Sequence, residues 1–247
     1  MKVVTVIQAR MGSSRLPGKV MLPLDGRHVL THDVQRVAAS AAVDEVTVAT
    51  SVKTQDDILA RHATRLGVPV YRGSEADVLS RVFEAADTLD AEVVVRVTGD
   101  CPLIDPSTIT AVTKPVLSGQ ADYATNIIER TFPRGLDVEA FSFESLEYVQ
   151  NVATQPHHRE HVTPYYRENR DEFAVVNVTS ADVFNNPQLN ARDDLRLTLD
   201  EPADYEVLRE IYTNTTYGDI LPVQDAIRYV DENSLMDLNE SVEQKSH

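Results

Sequence analysis

The sequence has a single cysteine, Cys101, among 247 residues, so no disulfide can close within the chain, and a reducing compartment is expected. It has no tryptophan, and its 9 glycines and 12 prolines are too few for a fibrous or low-complexity chain. No apolar run approaches the ~20 residues that cross a bilayer as a helix, which excludes a helical transmembrane protein. The N-terminus has one lysine, five apolar or Thr residues, then Gln8 and Arg10. That is not a secretory leader, so a cytoplasmic location is expected. The Asn-x-Ser/Thr matches at Asn177, Asn214 and Asn239 are then coincidental. Basic residues are scarce as well: 23 Lys and Arg, only 5 of them Lys, face 39 Asp and Glu, for a net charge of −16. So acidic a chain repels nucleic acid and anionic membranes, and neither is expected as a partner. The acidity fits a surface kept soluble by carboxylates or adapted to high salt.

The first hundred residues alternate short apolar runs with amphipathic stretches. Residues 3–7, 45–50, 68–71 and 93–98 are predicted strands. Residues 29–41, 54–66 and 77–89 have helical spacing. Leu59, Ala63 and Leu66 share one face of the second helix, and Val78, Leu79, Val82 and Ala86 one face of the third. Strands joined by helices this long need crossovers. The expected fold is therefore α/β, a mostly parallel central sheet with helices on both faces.

Beyond Asp105 the pattern loosens. Helices are expected over 106–117, which Pro115 should cut short, and over 143–152, 159–169 (kinked at Pro164), 202–212 and 223–233. Strand-like pieces fall within 123–141 and over 173–178 and 195–199. Residues 1–233 read as one domain, with 122–180 as a small substrate or dimerisation subdomain. Residues 234–247 read as a polar tail, frayed or docked on a partner.

Ligands of open α/β sheets bind beyond the carboxyl ends of the strands. The loop after the first strand reads Gln-Ala-Arg-Met-Gly-Ser-Ser-Arg-Leu-Pro-Gly-Lys, residues 8–19. It carries three cations, two glycines and no carboxylate in an otherwise acidic chain. Glycines let the backbone approach an anion, and arginine, lysine and free amides satisfy phosphate oxygens. It is not a Walker A loop: five residues separate Gly12 from Gly18, and Val20 follows Lys19 where a Ser or Thr is required. The Gly-x-Gly-x-x-Gly dinucleotide fingerprint is absent as well.

Other segments carry chemistry too. Arg72-Gly73-Ser74-Glu75-Ala76-Asp77 opens the third helix, with Ser74 expected as its N-cap and Asp77 at the third helical position. Thr98-Gly99-Asp100-Cys101-Pro102 follows the fourth strand. Asp100 is placed there either to hold a divalent cation or to brace a turn. Asp105 reads as the cap of the next helix, and Cys101 as a packed small residue. His157, His158 and His161 do not follow the His-Glu-x-x-His zinc-protease order, and no metal site is expected there.

The 8–19 loop closely resembles the opening motif of the SpsF-type cytidylyltransferases of spore-coat polysaccharide synthesis, a branch of the CMP-sugar synthetases that include the CMP-Kdo and CMP-sialate enzymes. The resemblance extends over about residues 3–205. It implies a GT-A-like (Rossmann-like) nucleotidyltransferase fold and CTP as nucleotide. By that match Arg10, Arg15 and Lys19 would hold the triphosphate, with Gln8, Ala9, Gly12 and Ser13 offering further contacts. Arg72 and Asp77 would lie near base and ribose, and Gly99 beside the phosphates. Asp100 would be a Mg²⁺ ligand, joined by Asp200 of Arg196-Leu197-Thr198-Leu199-Asp200-Glu201-Pro202-Ala203-Asp204. The stretch from Asn126 to Glu139 would line the acceptor pocket through Arg134, Asp137 and Glu139. Arg159 and His161 would sit near substrate and dimer contact. The implied enzyme is a Mg²⁺-dependent cytidylyltransferase acting on a sugar acid or sugar phosphate, and a homodimer. Its catalytic residues would be Lys19, Arg10, Arg15, Asp100 and Asp200. Two rivals are a glycosyltransferase of the same fold, whose usual Asp-x-Asp is missing, and a non-catalytic nucleotide- or sugar-binding protein.

Overall fold

The computed structural model describes residues 1–242. The first half runs β1 (Val3–Gln8), a hairpin of β2 (Pro23–Leu24) and β3 (Arg27–His28), α1 (Val29–Ala38), β4 (Glu45–Ser51), α2 (Asp57–Arg65), β5 (Val70–Gly73), α3 (Val78–Asp87), β6 (Val93–Thr98) and α4 (Pro106–Leu117). The second half runs β7 (Tyr123–Thr125), β8 (Glu139–Ser142), α5 (Phe143–Val152), α6 (Pro156–His161), α7 (Pro164–Glu168), β9 (Val175–Asn177), α8 (Ser180–Val183), α9 (Pro202–Asn214) and α10 (Val223–Asn233). Seven strands form one sheet in the order β5-β4-β1-β6-β8-β7-β9. The first four are mutually parallel, and β8 runs antiparallel to both β6 and β7.

Alternate residues of each central strand enter different cores, as a strand covered on both faces requires. Val3 and Ile7 pack with Leu30, Leu59 and Ile109 of α1, α2 and α4. Val4 and Val6 pack with Leu79 and Val82 of α3 and Leu146 of α5. A third cluster joins Leu195, Leu197 and Leu199 to α9 and α10. This is the expected α/β architecture, with helices on both sheet faces.

Several local expectations are corrected. Residues 195–199 do not form a strand. Arg134 and Arg196 make one isolated bridge, with Arg134 N donating to Leu195 O (3.0 Å) and Leu197 N to Arg134 O (2.8 Å). Gly135 ends the pairing there. Its φ is +101°, and a Cβ on it would lie 2.6 Å from the Leu197 carbonyl, so the two backbones come too close there for any side chain at this position. Gly135→Ala is expected to destabilise the fold by about 2–3 kcal/mol, through backbone strain and overpacking together. Thermal unfolding should read this as a Tm lowered by roughly 5–10 °C.

The third helix starts at Val78, capped by Asp77 Oδ1, which accepts from Ser80 N (2.9 Å), while Ser74 Oγ accepts from Asp77 N (3.0 Å). Ser74 thus sits one turn too early to be the N-cap. The predicted helix over 159–169 is two helices, separated by Val162 at φ +71°. Pro164 lacks the N–H that a continuous helix needs, so the chain reverses before it. Pro115 lies in the last turn of α4 without shortening it. Residues 234–242 pack on their own chain: Leu235 is buried, and Asn239 Nδ2 donates to Arg196 O (3.1 Å) and Asp204 Oδ1 (3.0 Å). Residues 243–247 of the predicted tail lie outside the described residues.

Candidate active site

From β1 the chain winds outward through β4 to β5, then returns to place β6 on the other side of β1. The crevice at such a reversal is where ligands bind. Gln8, Ala9, Gly99 and Asp100 lie at its mouth, on the ends of β1 and β6. The two turns touch: Gly99 N donates to Gln8 O (2.8 Å), and a Cβ at Gly99 would come within 2.8 Å of Ala9 Cβ. Only glycine allows that approach, which sets Asp100 beside the N-terminal loop. The loop is pinned in turn by a residue that sequence reasoning missed. Asp56 is fully buried, accepts from Met11 N (2.7 Å) and is bonded by Ser51 Oγ. Its signal, an acid just after a strand, was too common to single out.

Pinning the loop delivers Lys19 to the centre of the site. Its ammonium donates to Asp100 Oδ2 (2.6 Å) and Asp200 Oδ1 (2.8 Å). Burial works against the Lys19 charge, but the two carboxylates more than offset it and hold its pKa above the usual lysine value. Burial likewise opposes the Asp100 charge. The Lys19 ammonium, with hydrogen bonds from Lys19, Thr98 and Cys101, pulls its pKa below the usual 3.8. Asp200 also meets Arg15 Nη2 (3.2 Å) and Arg196 Nη2 (3.0 Å), and Arg15 Nη1 reaches Glu201 (3.1 Å). The centre is thus two carboxylates shared among three cations. Arg196 is held from behind by buried Asp204, at 2.8 Å from its Nε. Arg196 and Glu201 were not singled out from sequence, although both lie within the motif that contains Asp200.

The other expected residues form satellite groups. Arg10 is half exposed and 3.8 Å from Glu75. Ser13 Oγ accepts from Leu16 N (3.3 Å), and an added Cβ at Gly12 would meet Gln55 at 2.7 Å. Arg72 pairs with Asp57 (2.7 Å) and donates to Ser51 O. Asp77 pairs with Arg159 (2.6 Å), tying α6 to the start of α3. Gln8 Oε1 accepts from Arg96 Nε (3.0 Å), and Arg96 pairs with the buried Glu139, which also takes the Tyr123 hydroxyl (2.8 Å). Arg130 grips Asp137 through two bonds of 2.6 and 2.9 Å. Arg134 is half-buried. Burial first, and then the neighbouring Arg130 charge, lower its pKa. His161 closes α6, half-buried.

A match to the cytidylyltransferase family model covers residues 4–230. The chain belongs to the cytidylyltransferase family. It is 35% identical over 215 residues to the spore coat polysaccharide biosynthesis protein SpsF of Bacillus subtilis, covering 85% of this chain and 86% of that one. A solved cytidylyltransferase structure from Leptospira borgpetersenii superposes over 100% of both chains with a TM-score of 0.87 and 34% identity. A 3-deoxy-manno-octulosonate cytidylyltransferase of Brucella ovis is 36% identical over 135 residues, 53% of each chain. The GT-A-like fold and nucleotidyltransferase activity follow from this membership. No helix among the described residues is long and apolar enough to cross a membrane.

One buried group beside the Lys19–Asp100 pair has a pH consequence. Asp33, on α1, is fully buried, and neither carboxyl oxygen has a hydrogen-bond partner among the described residues. Burial, then the Asp100 charge, raises its pKa well above 3.8, against the pull of Arg36 and Lys19. The fold therefore binds a proton that the unfolded chain releases at lower pH. Its contribution is present below the unfolded value near 3.8 and is lost as pH rises toward the folded one. Asp33→Asn, which cannot titrate, is expected to show a smaller fall in Tm between about pH 5 and pH 8 than the parent chain. Equal slopes in thermal melts across that range would refute this.

Proposed function

We propose that this cytidylyltransferase transfers CMP from CTP to a sugar acid or sugar phosphate of a surface-polysaccharide pathway, with release of pyrophosphate and dependence on Mg²⁺. The observation that carries the reading is the Lys19 ammonium seated between Asp100 and Asp200. A cation already bridges the two carboxylates, and paired carboxylate oxygens suit a hard divalent ion. Asp100 and Asp200 would hold that ion, which when bound supplies charge neutralisation at the α-phosphate.

The chain's own groups account for the rest. The acceptor oxygen attacks the α-phosphorus in line, and negative charge builds on the leaving pyrophosphate. Arg10, Arg15 and Lys19, on the loop over the crevice, would meet that charge, which positioned cations stabilise more in a water-poor site than in water. Cys101 does not serve as nucleophile: burial, then the Asp100 charge, drives its thiol pKa well above 9.0. Arg72 and Asp77 would contact base and ribose, with Gln8, Ala9, Gly12, Ser13 and Gly99 around the phosphates. Arg134, Asp137, Glu139, Arg159 and His161 would face the acceptor. The same reading has a single catalytic domain over residues 1–233, acting as a cytoplasmic homodimer through 122–180.

Pyrophosphate release with each of four nucleoside triphosphates, against a panel of sugar acids and sugar phosphates, tests the reaction. CTP with at least one acceptor is expected to give turnover that EDTA abolishes and Mg²⁺ restores. No acceptor-dependent pyrophosphate release with any nucleotide and acceptor tested would overturn it, and light scattering decides the dimer.

A further inference from the structure

The reversal at Val162 brings two imidazoles and a carboxylate together. His157 and His158, consecutive on α6, each set Nε2 against Glu168 at the end of α7, 3.0 Å from Oε1 and 2.7 Å from Oε2 respectively. The three groups offer one ligand atom apiece, all within 4.8 Å of one another. The His158 ring is buried and packed edge-on by Tyr165 at 5.3 Å, which fixes one wall. His157 and Glu168 are about half exposed, which leaves a way in.

The donor chemistry is specific. Two imidazole nitrogens and one carboxylate oxygen suit a first-row transition dication rather than Mg²⁺, which prefers oxygen ligands and retains its water. Zinc ligands lie about 2.0–2.2 Å from the ion, and so about 3–3.5 Å from one another in a tetrahedron. The two imidazole–carboxylate contacts, at 3.0 and 2.7 Å, are already close to that, and the set as a whole, within 4.8 Å, needs a modest side-chain adjustment to match. An ion would replace the hydrogen bonds that now link the three groups and would clamp α6 to α7 across the break.

We propose that His157, His158 and Glu168 form a binding site for a transition-metal dication such as Zn²⁺ or Co²⁺, separate from the carboxylate pair Asp100 and Asp200. The site fastens α6 to α7. Because the next α6 residue, Arg159, holds the N-cap Asp77 of α3, the fastening reaches the entrance of α3. His158 Nδ1 has no hydrogen-bond partner among the described residues. It lacks the outer acceptor that strengthens most metal-bound histidines, so affinity on the order of micromolar is expected rather than tighter.

The test is a Co²⁺ titration of the untagged full chain in excess Mg²⁺, which saturates oxygen-only sites, followed by visible absorbance. One Co²⁺ per chain is expected, displaced by Zn²⁺. Both His157→Gln and Glu168→Gln should weaken it at least tenfold. These two positions are exposed enough for the variants to fold, which circular dichroism without metal verifies. Absence of stoichiometric binding up to about 1 mM Co²⁺, or binding unchanged in either variant, overturns the proposal.

Discussion

Replacing Lys19 by methionine is expected to lower CTP-dependent pyrophosphate release by about 10²–10³-fold at saturating CTP, the loss typical of removing one charge-stabilising donor. The size follows from position. Lys19 is the loop cation that reaches both central carboxylates, at 2.6 and 2.8 Å, and its side chain is only 12% exposed. A second effect separates this role from generic damage. Without the ammonium, Asp100 and Asp200 face each other with less compensation, so the variant should be about 1–3 kcal/mol less stable in EDTA. Mg²⁺ should then raise the Tm of Lys19→Met more than that of the parent, since it relieves a repulsion the parent does not have. Asp100→Asn should lose activity on a similar scale with a smaller loss of stability, because Lys19 keeps Asp200. Turnover of Lys19→Met within tenfold of the parent, or equal Mg²⁺ shifts in Tm, would contradict this account.

The second large effect is on folding. Arg196→Met is expected to destabilise the chain by about 3–5 kcal/mol, the range for breaking a buried ion pair on one side. Asp204 is 1% exposed and takes Arg196 Nε and Nη2 at 2.8 and 3.1 Å. It also accepts from Asp200 N (2.9 Å) and Glu201 N (3.0 Å), which caps α9. Methionine would leave the carboxylate with dipoles alone to balance its charge. Arg196→Met with Asp204→Asn should recover part of the loss, since the asparagine keeps an acceptor for the cap and brings no uncompensated charge. Urea unfolding of the two single variants and the double variant measures this. A double variant no more stable than Arg196→Met would show that packing, not charge, sets the penalty.

How far the sequence could be read depended on the range of the interactions. Helices Pro106–Leu117, Phe143–Val152 and Val223–Asn233 and strand Val93–Thr98 stand where their periodicity and caps put them. Each is decided by neighbours a few residues away: Asp105 caps α4 by accepting from Thr108 N at 2.8 Å. Residues 195–199 alternate like a strand yet form none, because the deciding contact is the close approach of Gly135, sixty residues earlier. The site shows the same divide. The cationic loop announced itself by composition. Its meeting with Asp100 and Asp200, across 81 and 181 residues, was expected only through family resemblance. Asp56 and Asp33 gave no usable signal, since a buried aspartate and an exposed one look alike until the fold places them.

The bond from Asn239 to Asp204 sets an order of assembly. The cationic loop is synthesised first, while the side chain that bonds Asp204, the acid behind Arg196, comes more than two hundred positions later. A nascent chain emerging from the ribosome therefore carries an anion-attracting loop well before its opposing acid wall is braced. Truncation upstream of Asn239 would keep the cationic loop but remove a bond to Asp204, and with it part of the support behind Arg196.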